Sequence, residues 1–198
     1  MVGPSSVDTQ KLTLTVEAQR PAARRELPAP PPGSESGLVS DFDDLKVSAR
    51  YGGWIPTSDQ QRGGKSTASL AAVRGGANHS AGALRVAGEV VAGADFAWAG
   101  ALFHPGASPA EAVNLSAKHT ISFWARGDGG SYSVAVLTES NSGQIPQVQA
   151  FAAGPEWKQF TFPLSDFETD GHDVMGVGFL RAQEPGRFDF EIDQVEIR

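Results

Sequence analysis

The chain has 198 residues, 40% hydrophobic and 20% charged, with no cysteine and a formal net charge of −7. Without cysteine there is no disulfide, thiolate nucleophile, zinc finger or iron–sulfur cluster. An acidic chain with no Lys/Arg run longer than Arg24-Arg25 has the wrong sign for nucleic acid or an anionic membrane surface.

Residues 1–40 read differently from the rest. Met1 to Gln10 show neither the basic-then-apolar pattern of a signal peptide nor the Arg- and Ser-rich pattern of a transit peptide. The compartment is therefore left open: cytoplasmic, or periplasmic or extracellular if the chain is the tail of a secreted precursor. Lys11 to Glu17 alternates apolar and polar residues, as a half-buried strand does. Pro21, Pro28 and Pro30-Pro31-Pro32-Gly33 then spell a stiff, extended tether.

From Asp41 to Arg198 short strand-like runs alternate with turn clusters. Strands are expected over 83–90, 96–103, 119–126, 132–137, 157–164, 174–180 and 188–197. The run 119–126 places Ile121 and Phe123 on one face and Ser122, Trp124 and Arg126 on the other. Gly127-Asp128-Gly129-Gly130 is a hairpin signal. The one helical signal is a turn near Ala107 to Ala112. In the last run Phe188, Phe190 and Ile192 share one parity and Val195 and Ile197 the other, which places a β-bulge around Asp193. The fold expected is all-β, a jelly-roll sandwich over 41–198 behind a tether over 1–40.

Four segments carry a resemblance. Trp54 to Leu70 (WIPTSDQQRGGKSTASL), Phe123 to Val134 (FWARGDGGSYSV), Phe151 to Phe167 (FAAGPEWKQFTFPLSDF) and Val177 to Ile197 (VGFLRAQEPGRFDFEIDQVEI) follow, in order, motifs of the complex I intermediate-associated protein family. That resemblance implies a galactose-binding-domain-like fold, similar to family-eleven carbohydrate-binding modules. It also implies a non-catalytic role: assembly of respiratory complex I in mitochondrial members, accessory domains in bacterial relatives. Gln60-Gln61-Arg62 departs from the more apolar stretch usual in the family and makes that loop polar.

No catalytic set is visible. His79, His104, His119 and His172 are scattered, and no serine sits in Gly-x-Ser-x-Gly. Gly63-Gly64-Lys65-Ser66 ends like a phosphate loop, but the earlier glycine that loop needs is Ser58. The chain is expected not to be an enzyme and to require no cofactor. A structural calcium is weighed on Asp41, Asp43 and Asp193, oxygen ligands at the two ends of the domain, against solvated turn aspartates. For binding, Trp124, Arg126 and Tyr132, with Tyr51, Trp54 and Asp59 of a loop over 51–64, are read as one aromatic and polar face. Trp157 is read as core. The expected function is a binding or scaffolding module, its partner a protein or an upstream enzyme domain; the alternative is a glycan.

Overall fold

The computed structural model describes residues 26–198, so the strand expected at Lys11 to Glu17 lies outside the described residues. The described chain is built from eleven strands: β1 (Leu38–Ser40), β2 (Gly53–Ser58), β3 (Thr67–Arg74), β4 (Gly82–Val90), β5 (Trp98–His104), β6 (Thr120–Gly127), β7 (Ser131–Thr138), β8 (Val148–Ala152), β9 (Lys158–Pro163), β10 (Val174–Ala182) and β11 (Gly186–Ile197). They form two antiparallel sheets. Sheet A runs β3-β4-β11-β6-β9, with β1 also paired to β11; sheet B runs β2-β5-β10-β7-β8. This is the expected jelly-roll sandwich.

Alternation makes the two layers. In β6 Ile121, Phe123 and Ala125 are fully buried while Ser122, Trp124 and Arg126 stay partly exposed, as their period of two requires. Phe123 packs edge-on to Phe179 of the opposite sheet at 4.9 Å between ring centres. Tyr132 of β7 meets Phe190 of β11 at 4.2 Å. The bulge is where the residue pattern puts it: pairing of β11 with β6 slips between Asp193 and Glu196. Both Ile192 and Val195 are therefore inside.

The sheet begins earlier than residue 41. Val39 is fully buried, and the Ser40 hydroxyl accepts a hydrogen bond from Trp54 Nε1 at 2.9 Å. The described part of the Pro-rich segment lies against the domain and turns twice, with Ser34 N donating to Pro31 O and Gly37 N to Ser34 O. Asn114 N donates to Pro28 O, and Lys118 Nζ donates to Ser34 O, each at 2.9 Å. The region of Ala107 to Ala112 is a turn, closed by Glu111 N on Ser108 O.

Candidate functional site

The residues expected to share one face divide between core and surface. Tyr51, Trp54 and Tyr132 belong to the core, at 4%, 8% and 1% exposure, so none offers a ring to a ligand. Trp54 sits among Phe42, Phe103 and Phe179. The stretch 51–64 is largely strand β2 followed by a 3-10 turn, and period two turns Trp54 inward. Burial pushes the Tyr51 phenol far above its ordinary range. It does the same to Tyr132, whose bond to Asp128 adds to the effect.

Asp59 is fully buried and works as a lock. Its carboxylate accepts from Ser66 N at 3.0 Å, Ser66 Oγ at 2.8 Å and Trp98 N at 3.3 Å. A Cβ on Gly64 would fall 2.2 Å from that carboxylate, which is why the turn carries glycine there. Asp128 does the same for the β6–β7 hairpin, accepting from Gly130 N and the Tyr132 hydroxyl. Burial works against its ionisation, but these bonds prevail and hold its carboxyl below the ordinary range. The acidic residues of the first two motifs thus hold backbone turns in place.

Trp124 and Arg126 do face outward, on sheet A. Arg126 pairs with Glu191 at 2.8 Å and lies over the ring of Trp157, 4.7 Å from its centre. Trp157 is accordingly half-buried beneath an arginine and is not core. Its Nε1 is buried with no hydrogen-bond partner. Arg85 and Asp189 form a two-pronged pair beside it. A shallow hollow of about 410 Å³ lies among Arg85, Arg126, Asp128, Asp189 and Glu191.

The outer face of sheet B carries what the residue pattern did not reveal. Ile55 of β2, Trp98 and Leu102 of β5, Leu137 of β7, and Gly178 and Leu180 of β10 line a groove of about 320 Å³. Its rim is Phe96, Gln61, Arg62 and the loop from Asn141 to Pro146. Arg62 is the one ionisable side chain among the described residues lining it. Ile145 and Val148 stand 60% and 38% exposed at one side. The polar Gln60-Gln61-Arg62 stretch, where the sequence leaves the family pattern, is thus part of this rim.

The aspartates divide as well. Asp41 pairs with Arg50 at 3.0 Å, so its carboxylate is not directed at the other two. Asp43 Oδ1 accepts from Ser80 Oγ and Ala81 N, both at 2.7 Å, and the first of these mainly holds its carboxyl below the ordinary range. Asp193, fully buried at the bulge, accepts from Ala77 N at 2.8 Å and Gln194 N at 2.6 Å. Burial chiefly, with the charge of Asp43 adding to it, pushes Asp193 up to about 6. Ser80 Oγ lies 3.1 Å from Gly82 O and 3.5 Å from Asp41 O. Two carboxylates, a hydroxyl and two carbonyls make an oxygen-only donor set suited to a hard cation. Among the described residues, no three His, Cys, Asp or Glu side chains gather around one metal position.

A two-sheet antiparallel jelly roll with an open groove on one outer face is a recognition fold, its strands a rigid frame for a surface. Residues 41–192 match the family model of complex I intermediate-associated protein 30, and the chain belongs to that family. No curated protein matches. Among solved structures it is similar to the family 11 carbohydrate-binding module of a cellulosomal cellulase of Clostridium thermocellum, at 15% identity and TM-score 0.57, covering 81% of this chain and 92% of that one. The same module in complex with a β-1,3-1,4-mixed-linked tetrasaccharide gives 15% and 0.56, over 81% and 94%. An exo-β-agarase gives 10% and 0.56, over 82% of this chain and 25% of that one. These likenesses show the fold. The family and the sandwich are non-catalytic kinds of domain, and no helix among the described residues is long and apolar enough to cross a membrane.

Proposed function

We propose that the chain is a non-enzymatic accessory domain that binds an apolar, extended segment of another polypeptide in the groove of sheet B. One observation carries this reading: the floor is apolar, from Ile55, Trp98, Leu102, Leu137 and Leu180, with a single ionisable group at the rim. Such a surface gains free energy by excluding water from side chains of matching character, at roughly 25 cal/mol per Å². Its uncharged polar side chains, Thr57, Gln61, Thr138, Asn141, Ser142 and Gln144, are fewer than its apolar ones. A glycan is the second reading. It is favoured by the Trp98 and Phe96 rings, which stand beside Gln61 and Asn141, and by the nature of the structural neighbours, an argument from fold alone.

Gly178 gives the test. The three atoms nearest to a Cβ there all belong to the Leu180 side chain, at 3.4 Å or more, so the floor accepts a methyl group without strain in the sheet. Peptides selected from a random library on the full chain should be extended and apolar. They should be lost on Gly178→Val and kept on Trp124→Ala. Glycan-array binding that Gly178→Val abolishes, with no peptide selected, would replace the first reading by the second. Glycan binding lost only on Trp124→Ala would move the site to sheet A. A calcium between Asp43 and Asp193 belongs to the proposal as a structural ion, and isothermal titration of chelator-treated protein checks it.

A further inference from the structure

Resting on the polypeptide reading of that groove, we infer that the segment bound there carries a carboxylate, of a side chain or of a free C-terminus, and that Arg62 receives it. The groove is built from rows of residues that pair directly across the strands of sheet B. Ile55 pairs with Leu102, Leu102 with Gly178, Gly178 with Ala135, and Ala135 with Val148. The next row on the same face holds Thr57, Gly100 and Leu180, and the one after it Trp98 and Ala182. Glycine at 178 brings the bare backbone to the middle of the first row. Trp98 lies four residues along β5 from Leu102, about 14 Å at 3.4 Å per residue. The groove thus has an aliphatic row across its middle and an aromatic end about four extended residues away.

Arg62 stands at that aromatic end. It closes the 3-10 turn Asp59–Arg62 that follows β2, and Gly63, at φ 83°, ends the turn. The turn is fixed to β5, because the buried Asp59 carboxylate accepts from Trp98 N at 3.3 Å while Asp59 O accepts from Gly64 N at 3.0 Å. One carboxylate therefore holds the backbone of Arg62 and the backbone of Trp98 in place together. The hollow on sheet A offers a contrast. Both of its arginines are taken, Arg85 by Asp189 and Arg126 by Glu191. Arg62 forms no ion pair with a described residue, in a chain with 23 acidic against 16 basic residues, so a shortage of carboxylates is not the reason. The other side chains lining the groove are uncharged, and none competes for an incoming anion. A guanidinium binds both oxygens of a carboxylate through two parallel N–H bonds, and a pair formed against apolar side chains is screened less than one in open water. The same charge turns away segments bearing Lys or Arg at this end. The segment that fits is apolar over Gly178 and acidic about four residues further on.

Two random peptide libraries, one with free and one with amidated C-termini, test this on the full chain. Arg62 is exposed, so Arg62→Gln and Arg62→Glu should melt as the native chain does. Peptides selected on the native chain should carry an acidic residue, or end in a free carboxylate, at a fixed distance from the apolar run. The two libraries tell these sources apart. Neutralising that carboxylate, by Asn or Gln in the peptide or by amidation, should weaken binding to the native chain at least about fivefold. Binding to Arg62→Gln should hardly change, and selection on Arg62→Glu should favour Lys or Arg at the same place. Native-chain peptides without a carboxylate, or an equal loss on Arg62→Gln, overturn the inference. If those peptides are still lost on Gly178→Val, the groove reading stands and only the role of Arg62 falls. Absence of any Gly178-dependent peptide from both libraries overturns the two together. Binding of a uronic-acid glycan that Arg62→Gln abolishes, with no peptide selected, does the same and gives Arg62 to the glycan reading.

Discussion

Arg126 lies face-on over the Trp157 ring, 4.7 Å from its centre, while its Nε donates to Glu191 at 2.8 Å. One side chain thereby ties β6 to β11 and to the segment that precedes β9. A cation over an indole contributes about 0.5–1 kcal/mol, and a partly exposed pair up to about 1. Arg126→Ala should therefore cost about 0.5–2 kcal/mol in urea unfolding. Trp124 makes no cation–ring contact with a described residue, and Trp124→Ala should cost less. A reversed order would mean that Trp124 is the anchor of this face.

Asp59 predicts a larger loss. Asp59→Ala leaves Ser66 N, Ser66 Oγ and Trp98 N without their acceptor, each worth about 1–3 kcal/mol, for a total of at least about 3 kcal/mol. Thermal unfolding measures it. A loss below about 1 kcal/mol would show that water replaces the carboxylate.

A fragment beginning at residue 41 should be markedly less stable than one beginning at residue 26. It lacks buried Val39 and the Ser40 hydroxyl that receives Trp54 Nε1. Ser40→Ala isolates the second effect and should cost about 1–3 kcal/mol, read as a shift in urea midpoint.

Asp193 makes stability depend on pH in the direction opposite to most carboxylates. The folded protein keeps this proton up to about 6, whereas the unfolded chain releases it near 3.8. The native state binds more protons between those values, so this group's contribution falls as pH rises from about 4 to 6 and stays low above. Asp193→Asn should flatten that slope in melting curves taken across the window. A calcium ion holds the ionised form, so it should raise the melting temperature more at about pH 7.5 than at about pH 5. Equal effects at both would place any bound ion elsewhere.

In sheet B the glycines separate sharply. A Cβ at Gly100 would fall 2.1 Å from Phe179 O, a backbone atom, whereas at Gly178 its nearest atoms belong to the Leu180 side chain, at 3.4 Å or more. Gly100→Ala should give an unstable or insoluble protein, and Gly178→Ala should melt within a few degrees of the native chain. Similar melting of the two would mean that β5 and β10 move apart more easily than this packing allows.

Much of the frame was legible because it obeys period two with large side chains. Ile121 and Phe123, Phe188 and Phe190, and the change of phase at Asp193 are plain in the residue pattern. The strands that escaped lack such contrast. β3 is Thr-Ala-Ser-Leu-Ala-Ala-Val-Arg, β8 is mostly Gln and Ala, and β2 carries Pro56 among turn-forming residues. Misreading β2 as a loop put Tyr51 and Trp54 at the surface. The groove was not legible at all, because Ile55, Leu102, Leu137 and Leu180 come from four strands brought together by sheet order. Nothing local marks them as one surface. Trp157 was misread for a related reason: its cover is Arg126, thirty-one positions away in sequence.

The slip between Asp193 and Glu196 turns the end of the last strand into a reading frame. Upstream, Phe188 to Ile192 keep the phase of β4; downstream, Val195 and Ile197 keep the phase of β1 and β6. Unbroken alternation through these same residues would send Val195 and Ile197 out into water and Gln194 and Glu196 into the core. At this one place a smoother strand of the same residues would be a worse protein, because it would expose the apolar pair that closes the sheet.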